Sequence, residues 1–182
     1  MKNTRSPGSE TVRAYVAFGA NLGNPFAALD AALDALAALP DTRVTACSSC
    51  YRSAPIGVPA RQPDYINAVI ALGTSLAPRS LLDALLDIEN DIGRSRDAAL
   101  APRTIDLDLL LHGDMTLATP ALTLPHPRLH LRAFVLLPLI ELAPELVIPG
   151  IGRLTELLPA VANQRIVRLN SSTETPAPQR DA

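Results

Sequence analysis

Apolar residues recur along the chain at two spacings, and the switches between them outline the elements. Val12 to Phe18 predicts a first strand, followed by the turn Gly19-Ala20-Asn21-Leu22-Gly23-Asn24-Pro25. Leu29, Leu33 and Leu36 then keep helical spacing until Leu39-Pro40, with Asn24 placed to cap the helix and Pro25 at its first position. A second strand is predicted over Val44 to Arg52 and a third over Tyr65 to Leu72. The segment Ser53 to Pro63 between them is too rich in proline and glycine for regular structure, and a loop of that length is often a binding loop or lid. In the third strand, alternation puts Tyr65 and Asn67 on one face and Ile66, Ala68 and Ile70 on the other. Pro78 opens a second helix with the core stripe Leu81, Leu85, Ile88 and Ile92, and Gly93 fits just past its end. Glu89 extends the adjacent Leu82–Leu86 row, so its carboxylate lies beside the apolar face.

The fourth predicted strand carries the densest chemistry. Ile105, Leu107, Leu109 and Leu111 alternate strictly and predict one buried face. Asp106 and Asp108 then share the opposite face, with Cα atoms roughly 6.5–7 Å apart. Two carboxylates that close repel, and aspartate is a poor strand former. A divalent cation such as Mg2+ relieves the repulsion. Arg103, three residues upstream behind Pro102, offers a planar fork suited to phosphate oxygens. A solvated acidic face on an edge strand is the bland explanation for an isolated D-x-D pair. The arginine, the proline and the long apolar run together favour a metal–phosphate site.

Beyond this strand, Ala133 to Leu142 predicts a short helix interrupted near Pro138, and residues 144–170 predict one or two further turns. Residues 1–11 read as a polar, disordered leader and 171–182 as a disordered tail without large apolar residues. Residues 12–170 are then one domain with the order β–α–β–β–α–β and a C-terminal addition. That is an α+β, ferredoxin-like fold with a mainly antiparallel sheet and helices on one face. Its other face would carry Tyr65, Asn67, Asp106 and Asp108 toward a cleft.

Composition narrows the chemistry. With 48% hydrophobic residues and no apolar run of membrane length, the chain reads as soluble. No basic start with an apolar core suggests export, so a cytoplasmic protein is expected. A net charge of −2 gives no reason to expect nucleic acid or an anionic membrane as partner. Lys2 is the only lysine and lies in the leader, which excludes a Walker-type or Schiff-base lysine in the core. Phosphate must therefore be held by arginine, backbone amides, histidine or metal. Cys47 and Cys50 form a C-x-x-C inside a β-like run, where their spacing puts them on opposite faces; structural thiols fit better than a redox or zinc site.

The stretch Ala-Pro-Arg-Thr-Ile-Asp-Leu-Asp-Leu-Leu, residues 101–110, resembles the signature of the 6-hydroxymethyl-7,8-dihydropterin pyrophosphokinase family of folate biosynthesis. Further motifs resemble the family in the right order. They are Gly-Ala-Asn-Leu-Gly after the first strand, Ser-x-Pro-Ile-Gly with Gln-Pro-Asp-Tyr-Ile-Asn-Ala, Ile88-Glu89 with Gly93-Arg94, and Pro-His-Pro leading to Arg132-x-Phe134. The resemblance implies pyrophosphoryl transfer from ATP to the pterin hydroxymethyl group, with release of AMP. Two Mg2+ ions would be held by Asp106 and Asp108. Arg94, Arg96 and Arg103 would handle the triphosphate, and Arg94 and Arg103 join the aspartates as the implied catalytic set. Glu89, Leu109, Thr123, His126 and Arg132 would also border ATP. Ser53, Ala54, Ile56, Gly57, Tyr65, Asn67 and Phe134 would form the pterin pocket. Leu100 departs from the family, many members of which have an aromatic there. His130 receives no role, and a monomer is expected. The competing classes are a Mg2+-dependent nucleotidyltransferase or phosphohydrolase using the same aspartates, and a non-enzymatic ligand-binding module.

Overall fold

The computed structural model describes residues 10–55, 62–93 and 104–169. Chain order is β1 (Val12–Ala20), α1 (Pro25–Ala37), β2 (Thr42–Cys47), β3 (Tyr51–Ser53), β4 (Tyr65–Thr74), α2 (Pro78–Asp91) and β5 (Asp106–His112). There follow the short hairpin β6 (Leu117–Ala118) and β7 (Thr123–Leu124), a 3-10 turn at Leu129–Leu131, and α3 (Ala133–Leu142). A second hairpin, β8 (Val147–Ile148) and β9 (Gly152–Arg153), precedes α4 (Leu154–Val161) and β10 (Ile166–Arg168). Residues 1–9 of the expected leader and the whole expected tail lie outside the described residues.

One six-stranded sheet organises these elements in the order β10-β3-β4-β1-β5, with β2 also paired to β4. Every pairing in it is antiparallel. The long central strands β1 and β4 are buried on both faces, because a core lies on each side of the sheet. On one side Val16, Phe18, Ala68, Ile70 and Leu72 meet Leu29 and Leu36 of α1 and Leu81 and Leu85 of α2. On the other, Tyr15, Ala17, Val69 and Ala71 meet Leu136 and Leu139 of α3 and Leu154 and Val161 of α4. Helices on one face only was therefore too simple. The chain after β5 supplies a second layer that covers part of the opposite face and leaves the rest open.

Local rules account for the helix starts. The Asn24 side chain accepts from the Phe26 and Ala27 N–H groups at 3.1 and 3.2 Å, two donors that the first helical turn cannot satisfy itself. Gly93, at φ +100, ends the α2 region in a conformation open to glycine.

Phase shifts explain most departures from the predicted strands. The second predicted strand is two strands. Cys47 pairs with Ile70 but Tyr51 with Asn67, so four steps on one side match three on the other. Ser48 fills the offset: its N–H donates to the Val69 carbonyl and its hydroxyl accepts the Val69 N–H, each at 2.9 Å. As a result Cys47 and Cys50 do not take opposite faces; both pack against the α1–α2 core. Burial pushes the Cys47 thiol up to about 11, helped by the charges of Cys50, Asp30 and Glu141, and raises Cys50 as well. A second bulge breaks the alternation in β5. Val16 pairs with Leu109 and Tyr15 with Leu111, which leaves Leu110 extra. Leu111 thus joins the α3–α4 core while Ile105, Leu107 and Leu109 stay in the other. Finally, α3 runs unbroken through Pro138, and the chain past Pro144 forms a hairpin, a helix and a sheet strand rather than a turn or two.

Candidate active site

Sheet register carries the site. Asp106 pairs with Gly19 and Asp108 with Ala17, while Gly19 and Ala17 pair on their other side with Asn67 and Val69. Paired residues share a face, so Asn67, Gly19 and Asp106 form one row across three strands, with Tyr51 extending it onto β3. Small residues in the middle of these rows leave the open part of the sheet hollow. Here a cleft of about 1050 Å3 forms between the sheet, the β6–β7 hairpin and the start of α3.

β5 is a sheet edge, and its outward backbone groups are covered by two residues of interest. The Glu89 carboxylate, only 1% exposed, accepts the Leu107 N–H at 2.6 Å. Leu107 lies between Asp106 and Asp108, so Glu89 fixes the backbone that presents both. The His126 N–H donates to the Leu110 carbonyl at 2.9 Å, which holds the imidazole beside the same strand. His126 Nε2 stands 3.9 Å and Arg132 Nη1 3.5 Å from Asp108 Oδ2. His126 Nδ1 accepts the Arg128 N–H at 3.2 Å, a bond available only to the neutral ring. Burial lowers the His126 pKa below its ordinary value, with Arg132 and Arg128 adding to the shift and Asp108 opposing it. Burial also lowers that of Arg132, helped by Arg128 and opposed by Asp108 and Asp106. The Arg132 guanidinium lies 5.4 Å from the centre of the Phe134 ring.

Across the cleft, Asn67 is 4% exposed. Its amide nitrogen donates to Ser53 Oγ at 3.0 Å and to the carbonyls of Tyr51 and Tyr65 at 3.2 and 3.4 Å. The donor side is thus used structurally. Oδ1 instead faces the floor, 3.6 Å from where a Cβ on Gly19 would stand.

Of the residues singled out from sequence, Ser53, Ala54, Tyr65, Asn67, Glu89, Asp106, Asp108, Leu109, Thr123, His126, Arg132 and Phe134 all line this one cleft. Ile56, Gly57, Arg94, Arg96 and Arg103 lie outside the described residues, as does Leu100. Sequence reasoning gave Asn21 no role beyond its turn motif; its amide donates to the Pro63 carbonyl at 3.1 Å and to Gln62 Oε1 at 3.4 Å, tying the turn after β1 to the chain before β4. Sequence reasoning missed Gln164, which lines the cleft from a segment with no motif. Among the described residues no cluster of three or more His, Cys, Asp or Glu could hold a metal, and no helix is long and apolar enough to cross a membrane.

The chain is thus an α+β protein with an antiparallel sheet, a cleft on one of its faces, and paired carboxylates at the sheet edge beside an arginine. The sequence model of 7,8-dihydro-6-hydroxymethylpterin-pyrophosphokinase (HPPK) matches residues 15–144. A 2-amino-4-hydroxy-6-hydroxymethyldihydropteridine pyrophosphokinase of Pseudomonas aeruginosa is 51% identical over 86% of this chain and 96% of its own. One from Haemophilus influenzae is 44% identical over 87% of this chain and 99% of its own. Among solved structures, a Plasmodium falciparum HPPK-DHPS superposes with a TM-score of 0.67 at 15% identity, over 84% of this chain. The chain spans 46% of that longer protein, and the likeness there is one of fold. The chain belongs to the 7,8-dihydro-6-hydroxymethylpterin-pyrophosphokinase family.

Proposed function

We infer that this chain transfers a pyrophosphoryl group from ATP to the hydroxymethyl group of 6-hydroxymethyl-7,8-dihydropterin, a step of folate biosynthesis, with AMP as second product. The observation that carries the reading is the register: both aspartates sit on one face of β5, in the same cleft as Asn67, Tyr65 and Phe134.

The donor set fits Mg2+. Two carboxylates on adjacent same-face positions suffice for an ion that keeps several waters and takes phosphate oxygens as its other ligands. Asp106 and Asp108 would hold it, and we propose two such ions. When bound, Mg2+ supplies charge neutralisation at the phosphates and at the leaving group. The chain's own residues position the reactants. Arg132 has its guanidinium in the cleft, where its fork can engage a phosphate. His126, neutral with its Nε2–H toward Asp108, is placed as a hydrogen-bond donor to the nucleotide. Asn67 Oδ1 is an acceptor for an N–H on the pterin edge, and Phe134 offers a ring to stack on. Glu89 acts on the backbone between the aspartates. Arg94, Arg96 and Arg103 complete the proposal as triphosphate ligands, and Ile56 and Gly57 as pterin contacts. The chemistry then rests on positioning and electrostatics, as phosphoryl transfer generally does.

The portion through β5, in which β2 and β3 both pair with β4 and together take the place of one strand of a β–α–β–β–α–β order, supports a ferredoxin-like assignment, with residues 117–169 as an addition that covers the second face. A single domain over 12–170, a monomeric state and a cytoplasmic location belong to the same proposal. Incubation with ATP, Mg2+ and the pterin tests the function. AMP with pterin pyrophosphate is the expected product pair. Pyrophosphate or phosphate release would favour a nucleotidyltransferase or phosphohydrolase, and no turnover a binding module.

A further inference from the structure

Gln164 lies beyond the stretch matched by the family model, which ends at residue 144. Its side chain reaches back to the start of α3 and makes two bonds there. Oε1 accepts the Ala133 N–H at 2.9 Å, and Nε2 donates to the Leu131 carbonyl at 2.8 Å. These are the backbone groups on either side of Arg132. Arg132 is itself the N-cap residue of α3, extended at φ −125 and ψ 111, and its side chain gives the helix no cap bond. The Ala133 N–H is one of the donors a helix start leaves unsatisfied. Gln164 satisfies it from 31 residues away in sequence.

We propose that Gln164 is a positioning residue for Arg132. A primary amide is the side chain for this task, because it accepts from one peptide group and donates to another two residues away. The pair of bonds holds the Arg132 backbone extended while the residues on either side are helical, and so sets the direction from which the guanidinium enters the cleft. Arg132 Nη1 reaches Asp108 at 3.5 Å and its guanidinium lies over Phe134 from that direction. Gln164 is anchored in turn, since its N–H donates to the Val161 carbonyl at 3.0 Å and β10 joins the sheet through β3 directly after it. The last strand of the sheet is thereby coupled to a nucleotide-binding arginine. The inference rests on the reading that Arg132 engages ATP.

The test is a double-mutant cycle on kcat/KM for ATP, using Gln164→Met, Arg132→Ala and the double variant of the full chain. Methionine keeps the volume and removes both hydrogen bonds. Gln164→Met is expected to lower kcat/KM about tenfold, the scale of a misdirected catalytic contact. In the Arg132→Ala background the same change should cost less than about twofold. Gln164→Glu, which keeps the acceptor for Ala133, should recover part of the loss. Equal losses in both backgrounds, or wild-type kinetics for Gln164→Met, would overturn the proposal. Wild-type kinetics for Arg132→Ala alone would remove the ATP assignment of Arg132, and this inference with it. Should Gln164→Met fold poorly, Gln164→Leu, which also removes both hydrogen bonds, is taken through the same cycle with the same criteria.

Discussion

Asn67 and Asp106 pair with the same residue, Gly19, from opposite sides of β1. The residue proposed to read the pterin and the first residue proposed to hold metal are thus two strands apart, with nothing but a glycine between them. The hydroxymethyl group of one substrate and the phosphates of the other would meet over that gap.

Gly19 should therefore be dispensable for folding and important for turnover. A Cβ at this position would meet Asn67 Oδ1 at 3.6 Å and Tyr65 Cδ1 at 4.0 Å, ordinary contact distances, and its φ is unexceptional. Replacing a strand glycine by alanine commonly stabilises by about 0.5–1 kcal/mol. Gly19→Ala is expected to melt at or slightly above the wild-type temperature while losing pterin affinity and turnover, measured by calorimetry and AMP release. A large drop in melting temperature with intact activity would contradict the arrangement.

Asn67→Ala should do both kinds of harm. Loss of its bonds to Ser53 and to the Tyr51 carbonyl lowers stability. Loss of Oδ1 should weaken pterin binding by about 1–3 kcal/mol, the cost of an unmatched buried polar partner. Affinity for a non-hydrolysable ATP analogue should stay within about twofold, and titration calorimetry of each ligand separates the two. Equal weakening of both would place Asn67 outside the pterin pocket.

The alternation around Asp106 and Asp108 was legible because one strand period determines which side chains share a face. That is enough to bring both aspartates, Asn67 and Tyr65 to one surface. The bulges at Ser48 and Leu110 were not legible, since each depends on the strand opposite. One extra residue inverted the expected placement of Cys50 and Leu111. Motif likeness pointed to His126, Arg132 and Phe134, which lie outside the aspartate strand in sequence and line the same cleft. It could not find Gln164, whose role comes from a backbone contact made over a long sequence separation. The helix at Ala133–Leu142 was legible, although Pro138 does not interrupt it; α4 was not, because Pro159 lies inside it where sequence rules predict a break.

A half-buried thiol and a buried phenol shape the alkaline limit. The Cys47 thiol, ordinarily near 9.0, is pushed up to about 11 by burial first. Tyr51, ordinarily 10.0, rises to about 12 through burial and its 2.5 Å bond to Glu141 Oε1. Groups with raised native values stabilise fully below their unfolded pKa and lose that contribution as pH climbs through the native one. Stability should therefore fall between pH 9.0 and about 12. Tyr51→Phe should flatten the upper part of the slope in a series of thermal melts. Native Cys47 should also react with iodoacetamide at pH 8 about 10²-fold more slowly than in urea, in proportion to its thiolate fraction. Equal rates in the two conditions would contradict the burial seen here.

Asp108→Asn separates a metal–phosphate site from a solvated acidic strand. The substitution preserves shape, removes one of two neighbouring charges and replaces a strong Mg2+ ligand with a weak one. Relief of repulsion with Asp106 offsets the lost contact with Arg132, so the melting temperature without ligands should stay near wild type. AMP release at saturating Mg2+, ATP and pterin should fall by at least ~10²-fold, the usual scale for losing one transition-state electrostatic element. The rise in melting temperature on adding Mg2+ and ATP should vanish with it. AMP release at a near-wild-type rate from a folded Asp108→Asn protein would contradict the assignment of this strand as the metal–phosphate site.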